Sequence, residues 1–203
     1  MRRLLLPLAA LLIAASCATT GSGGGTRLKA TDYHPLAVGA AWTYAGKVGG
    51  QAVEKTITIT GKKDGYFADD AGGLLKVDAE GLRDEKRYLL KNPLETGKSW
   101  TSIVSVSSTE HYEIVDTGFT INTAAGQFND CILVRGTNRI DAQKSLRNEW
   151  TFAPKVGMVR IVGAMVDGAR EMPQVFLELK SFKSAPEPAA APAPAPEAKP
   201  GAK

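Results

Sequence analysis

Residues 53–60 read Val-Glu-Lys-Thr-Ile-Thr-Ile-Thr, which places Ile57 and Ile59 on one side and Thr56, Thr58 and Thr60 on the other. A period of two is the mark of a strand with one buried face. The alternation returns near the other end of the chain, where Val175, Leu177 and Leu179 interleave with Gln174, Glu178 and Lys180. Between these two segments lie short apolar runs at 100–106, 111–116, 130–136, 148–152 and 157–163, each bounded by Gly, Asp, Asn or Pro. Residues 61–65 (Gly-Lys-Lys-Asp-Gly) and 78–81 (Asp-Ala-Glu-Gly) have the composition of hairpin turns. No stretch of ten or more residues carries a convincing amphipathic helical pattern. The pattern predicts an all-β fold, an antiparallel meander curled into a barrel or half-barrel.

A repeated motif adds detail. Pro35-Leu36-x-x-Gly39-x-x-Trp42-Thr43 recurs 58 residues later as Pro93-Leu94-x-x-Gly97-x-x-Trp100-Thr101. A weaker echo, Pro154-x-x-Gly157-x-x-Arg160, lacks the Trp. Its physical reading is a strand-opening device: Pro fixes φ, Gly makes the turn, and Trp starts the strand by burying its ring. Two such units predict a two-unit internal repeat sharing one curved sheet.

The two ends of the chain differ from this middle. Residues 1–16 hold Arg2 and Arg3, a 12-residue apolar stretch at 4–15 and small residues before Cys17. That length suits a signal peptide and falls short of the roughly 20 apolar residues of a membrane-spanning helix. Ala14-Ala15-Ser16-Cys17 resembles the bacterial lipobox, with Ala14 where Leu is commonest. The resemblance implies cleavage between Ser16 and Cys17 and acyl chains on Cys17, which would join the protein to a membrane. The alternative is an ordinary secretory signal beside an uninvolved cysteine. Ala18 stands where Asp would signal inner-membrane retention, so in a Gram-negative host the resemblance points to the outer membrane, facing the periplasm. Residues 17–29 then form the lipidated Cys and a flexible, Gly-rich tether, and 30–183 the β-rich globular domain. Residues 184–203, with six Pro and eight Ala in 20 positions, form a disordered tail. It is either a solvated spacer or a reach towards another envelope layer.

Charge and composition narrow the function classes. The 203 residues are 43% hydrophobic and 23% charged, which excludes a wholly disordered or fibrous chain. Of 25 basic residues, two leave with the signal peptide; 23 against 21 acidic residues gives a mature chain of only +2. No Lys/Arg cluster remains to track phosphates, so nucleic acid is not expected as a partner. The two histidines, His34 before a proline and His111 beside Glu110, do not form a zinc-ligand spacing, and no cofactor or metal is implied. Cys131, in an apolar run, reads as a small core residue. Glu110, Glu113, Asp69 and Asp70 read as solvated turn or strand-face charges, and Ser105, Ser107 and Ser108 as a strand's polar face. No catalytic set emerges, and an enzyme is not expected.

Tyr33-His34-Pro35-Leu36, Gly39, Trp42 and Tyr44, the second Pro-Leu-x-x-Gly-x-x-Trp, Ala125-Gly126-Gln127-Phe128 with Cys131, and the late Trp150, Ala153-Pro154, Val156-Gly157 and Val159 together resemble a set of uncharacterised β-rich bacterial envelope lipoproteins. His34 stands where that set more often has Phe. The resemblance implies a lipid-anchored envelope protein of binding or structural type, with an envelope protein or a lipid as partner, and supplies no catalytic residues. The alternative is a carrier of lipid or another hydrophobic ligand in the concave face of the sheet, similar at fold level to LolA and LolB. Trp42, Tyr44, Trp100 and Trp150 would line that face; otherwise they simply fill the core.

Overall fold

A computed structural model describes residues 28–106 and 108–185. Cys17, the cleavage position, the tether up to residue 27, Ser107 and the tail from residue 186 lie outside the described residues. One short helix, α1 (Ala30–Tyr33), precedes β1 (Ala41–Val48), β2 (Gln51–Lys63), β3 (Tyr66–Asp69), β4 (Leu74–Val77), β5 (Gly81–Arg83) and β6 (Tyr88–Lys91). There follow β7 (Ser99–Ser105), β8 (Ser108–Thr123), β9 (Gly126–Arg139), β10 (Lys144–Ala153), β11 (Gly157–Asp167) and β12 (Arg170–Lys183). The predicted turn at 61–65 is tighter than its composition suggested: β2 runs on through Lys63, leaving Asp64 and Gly65 to make the return.

All strands belong to one antiparallel sheet in the order β6-β5-β4-β3-β2-β1-β12-β11-β10-β9-β8-β7. Each hairpin pairs sequence neighbours, and β1 pairs with β12, aligning Ala41 with Lys183. The result is a nearly closed barrel whose one unpaired seam separates β6 from β7. Side chains bridge that seam: the Trp100 indole N–H on β7 donates to the Tyr88 carbonyl on β6 at 2.9 Å. Satisfying an edge carbonyl this way protects it from pairing with another chain.

The two Pro-Leu-x-x-Gly-x-x-Trp segments lead into β1 and β7 through matching turns. Gly39 has φ of 91° and Gly97 of 85°, a region costly for residues with a Cβ. Gly39 N–H donates to Ile59 O while Ile59 N–H donates to Ala40 O; Gly97 N–H donates to Ile114 O while Ile114 N–H donates to Lys98 O.

The wall is uneven. Strands β3 to β6 are three or four residues long, whereas β8 to β12 run from 10 to 16. In a meander, successive turns alternate between the two ends. The β6–β7 and β10–β11 connections therefore share one end, and α1 caps it: Ala30 N–H donates to Asn92 Oδ1, Lys155 N–H to Asp32 O, and the Tyr33 hydroxyl to Asp130 O. Because Ala41 opposes Lys183, the chain also enters and leaves the barrel at that end.

The interior holds two apolar clusters. One centres on Leu82, Leu90, Tyr112, Ile114, Val134 and Phe152, the other on Trp42, Tyr44, Ile59, Cys131, Val159 and Leu179, with Leu36 and Met158 touching both. Each fully buried large side chain contributes about 1.5–3 kcal/mol relative to exposure. The outer face carries ion pairs, Arg135–Glu149, Arg160–Glu178 and Lys180–Glu54. Apolar inside and charged outside is the polarity of a barrel in water, opposite to one whose outer wall meets lipid.

Candidate functional site

A cavity of about 280 Å³ occupies the boundary between the two clusters. Trp42, Tyr44, Ile57 and Ile59 on β1 and β2 form one wall; Trp150, Met158 and Ile161 on β10 and β11, with Leu74 and Leu75 on β4 and Leu89 on β6, complete its apolar lining. His34, following α1, borders it on the capped side. Asp69, Gly73, Asp84 and Arg87, from the β3–β4 and β5–β6 turns, border it at the opposite end. The low wall of short strands thus makes the mouth, and it opens away from α1.

Hydrogen bonds hold the aromatic wall in place. Trp42 Nε1–H donates to Val156 O at 2.6 Å, and the Tyr44 hydroxyl donates to Met158 O at 2.9 Å. Trp42 stacks on both His34 and Phe182, with ring centroids 4.9 and 5.4 Å away. Across the cavity, Trp150 stacks on Tyr112 at 5.9 Å, and Tyr112 on Trp100 at 5.4 Å. Gly136 makes room for this second stack: a Cβ there would lie 2.9 Å from both the Trp150 and Tyr112 rings.

Of the four aromatics expected to share a concave lining, the structure brings three to the cavity. Trp42 and Tyr44 are nearly fully buried and Trp150 is half-buried. Trp100 is not part of it; β7 is an edge strand, and its indole is engaged in closing the seam. The volume lies just below the roughly 300–1,000 Å³ of drug-sized ligand sites. It suits a small molecule or one short chain, and a two-chain phospholipid is too large for it.

The polar groups at the mouth are engaged with one another. Arg87 Nε donates to Asp84 Oδ2 at 2.8 Å, and its Nη1 to both Glu110 oxygens at 2.9 Å. The Tyr112 hydroxyl also donates to Glu110. Glu110, read from sequence as a solvated strand-face charge, is instead 13% exposed and clamps the β5–β6 turn to β8. Asp69 Oδ1 accepts the N–H groups of Ala71 and Gly73, fixing the β3–β4 turn. Of the charged side chains that border the cavity, two carboxylates, Asp69 and Asp84, stand against one guanidinium, Arg87, which Glu110 on β8 also engages.

His34 is the exception to this satisfaction of polar groups. It is 5% exposed, and its Nδ1 is buried with no hydrogen-bond partner. Burial pushes its pKa down from 6.5 to about 4, so the ring is neutral at neutral pH.

Elsewhere the sequence candidates do not join this site. Cys131 is fully buried, its Sγ donates to Phe128 O at 3.5 Å, and burial pushes the thiol up to about 11. His111 is exposed, with Nδ1 3.2 Å from the Thr101 hydroxyl. Among the described residues, no three His, Cys, Asp or Glu side chains gather where they could hold a metal ion.

Sequence reasoning missed His34, Asp84, Arg87 and Glu110 as parts of one site. Only His34 carried a signal, as a polar residue where the resembling proteins have Phe.

No protein-family profile matches the chain, and no curated protein matches it. Among solved structures it is similar to a candidate exported protein with a YmcC-like fold from Bacteroides fragilis, with a TM-score of 0.41, 14% identity, and coverage of 75% of this chain and 99% of that one. It is also similar to a candidate lipoprotein from Parabacteroides distasonis, with a TM-score of 0.40, 13% identity, and coverage of 77% of this chain and all of that one. Likenesses at this level carry no inference about function.

Proposed function

We propose that this chain is a lipid-anchored protein of the bacterial envelope that acts by binding, and that its ligand is a small apolar molecule held in the barrel cavity. The aromatic-walled cavity carries the reading: an interior lined by Trp42, Tyr44 and Trp150, and left partly unfilled, is a site prepared for an apolar guest. Anchoring follows from the lipobox-like Ala14-Ala15-Ser16-Cys17. With acyl chains on Cys17, the α1 end faces the membrane, since the chain enters the barrel there. The mouth then faces away from the lipid surface, so the ligand comes from the aqueous side or from a partner. In a Gram-negative host this surface is the periplasmic face of the outer membrane.

A scaffold role is the second reading. Ile103 and Ile140 are 76% and 56% exposed, and with exposed Val106 they lie at the β7–β8 and β9–β10 turns, the mouth end of the barrel. Such side chains suit a protein partner.

The test uses the full chain carrying Cys17→Ser, exported to a bacterial periplasm and purified without detergent. N-phenyl-1-naphthylamine, an uncharged apolar dye, should bind with micromolar affinity and brighten. Ile161→Trp, which places a larger ring in the cavity, should abolish the signal without lowering the melting temperature by more than a few degrees. Equal dye binding by both proteins would place the dye outside the cavity and contradict the ligand-binding reading.

A further inference from the structure

His34 borders the cavity with a ring nitrogen, Nδ1, that is buried without a hydrogen-bond partner. Its Nδ1–Cε1 edge is pressed against the backbone of Gly157, where φ is 105°; a Cβ on that residue would lie 2.0 Å from Nδ1 and 2.5 Å from Cε1. One ring face is stacked on Trp42. The Nε2–Cδ2 side is the edge not turned to Gly157, and His34 borders the cavity. Among the described residues, no protein group bonds Nδ1.

The tautomer follows from the cost of each choice. A proton on Nδ1 would be a buried N–H with no acceptor and no route to water, whereas a bare lone pair there is the cheaper defect. The neutral ring therefore carries its hydrogen on Nε2, as a donor. A donor in an apolar chamber loses its partner when water is displaced, unless the guest supplies an acceptor.

The rim bears on the charge of that guest. A carboxylate would have to pass Asp69 and Asp84, with the Arg87 guanidinium already bonded to Asp84 and to Glu110 on β8. Inside, it would find no fixed cation, and burying an unpaired anion is prohibitive.

We propose that the cavity selects uncharged apolar molecules bearing one hydrogen-bond-accepting oxygen, a ketone, ester or alcohol, and that His34 Nε2–H receives that oxygen. His34 is thus a specificity-determining residue. The inference rests on the ligand-binding reading above.

Three probes of equal chain length separate the terms: octane, 2-octanone and octanoate, measured by displacement of the naphthylamine dye from the full Cys17→Ser chain at pH 7.5. The wild-type chain should bind 2-octanone at least tenfold more tightly than octanoate. His34→Phe keeps a ring against Trp42 and should weaken 2-octanone about fivefold to tenfold while leaving octane unchanged. A second measurement needs no variant: the His34 Nε2 resonance in ¹⁵N spectra should shift on adding 2-octanone and stay in place with octane. Octane displacing the dye, with 2-octanone affinity unchanged by His34→Phe and a static Nε2 resonance, would overturn the role of His34 while leaving the cavity reading intact. Tightest binding by octanoate would overturn the charge selection. Failure of 2-octanone to displace a dye that does bind in the cavity would overturn the selection for an accepting oxygen, whereas a dye that does not bind at all, or that binds Ile161→Trp equally, would remove the ligand-binding reading itself.

Discussion

Burial of a neutral imidazole makes a measurable demand on stability. In the unfolded chain His34 takes up a proton near pH 6.5, but in the folded barrel only near pH 4. Between those values the unfolded state holds more protons, so stability rises with pH. The contribution is fully present above about pH 6.5 and is lost as pH falls towards 4. At about 1.4 kcal/mol per tenfold step in proton affinity, the interval amounts to about 3 kcal/mol, of which about 2 to 3 kcal/mol has gone by pH 4.5. His34→Phe removes the titrating group and keeps a flat ring against Trp42. The cavity-bordering charges Asp69, Asp84 and Arg87, and the surface carboxylates, are common to both proteins and cancel in the comparison. Urea unfolding followed by tryptophan fluorescence at pH 7.5 and pH 4.5 is the assay. The variant should be at least as stable as wild type at pH 7.5, and the difference in its favour should widen by about 2 to 3 kcal/mol at pH 4.5. A difference that does not change with pH would mean that His34 is not buried and neutral, and the argument from it would collapse.

Two further predictions test the packing around the site. Gly157→Ala combines an unfavourable φ with a Cβ driven into the His34 ring, so it should cost more than about 2 kcal/mol. Gly118→Ala, at φ of 78° with open space around it, should cost only about 1 kcal/mol; equal losses in thermal melts would show that the His34–Gly157 contact is absent. Trp100→Phe removes the indole donor to Tyr88 O and should cost about 1–3 kcal/mol. Hydrogen exchange should quicken in β6 and β7 before the rest of the sheet; uniform quickening would mean that the Trp100 indole does not hold the seam.

The long strands were legible because each repeats its alternation several times: Ile57 and Ile59 in β2, and Val175, Leu177 and Leu179 in β12, announce their buried faces. Strands β3 to β6 were not, since a strand such as Gly81–Arg83 has too few positions to show a period. Their shortness nevertheless creates the mouth. The Pro-Leu-x-x-Gly-x-x-Trp motif marked both strand starts, yet the motif alone did not say that Trp42 would meet the cavity and Trp100 the seam. That distinction arises because β1 is paired on both sides and β7 is an edge. His34 looked like a turn residue before a proline. Its burial is made by Trp42 and by Gly157, which is more than a hundred positions away, and no local spacing encodes such a contact. Arg87 and Glu110 are likewise joined by the curl of the sheet across a separation of 23 residues.

The most direct measurement of the central claim is native mass spectrometry of the full Cys17→Ser chain, taken from a bacterial periplasm without detergent. A reproducible adduct of small, uncharged, apolar mass is expected, absent from Ile161→Trp prepared in the same way. A bare polypeptide mass in every charge state, from protein that also refuses the naphthylamine dye, would contradict the account and leave the barrel interior as core alone.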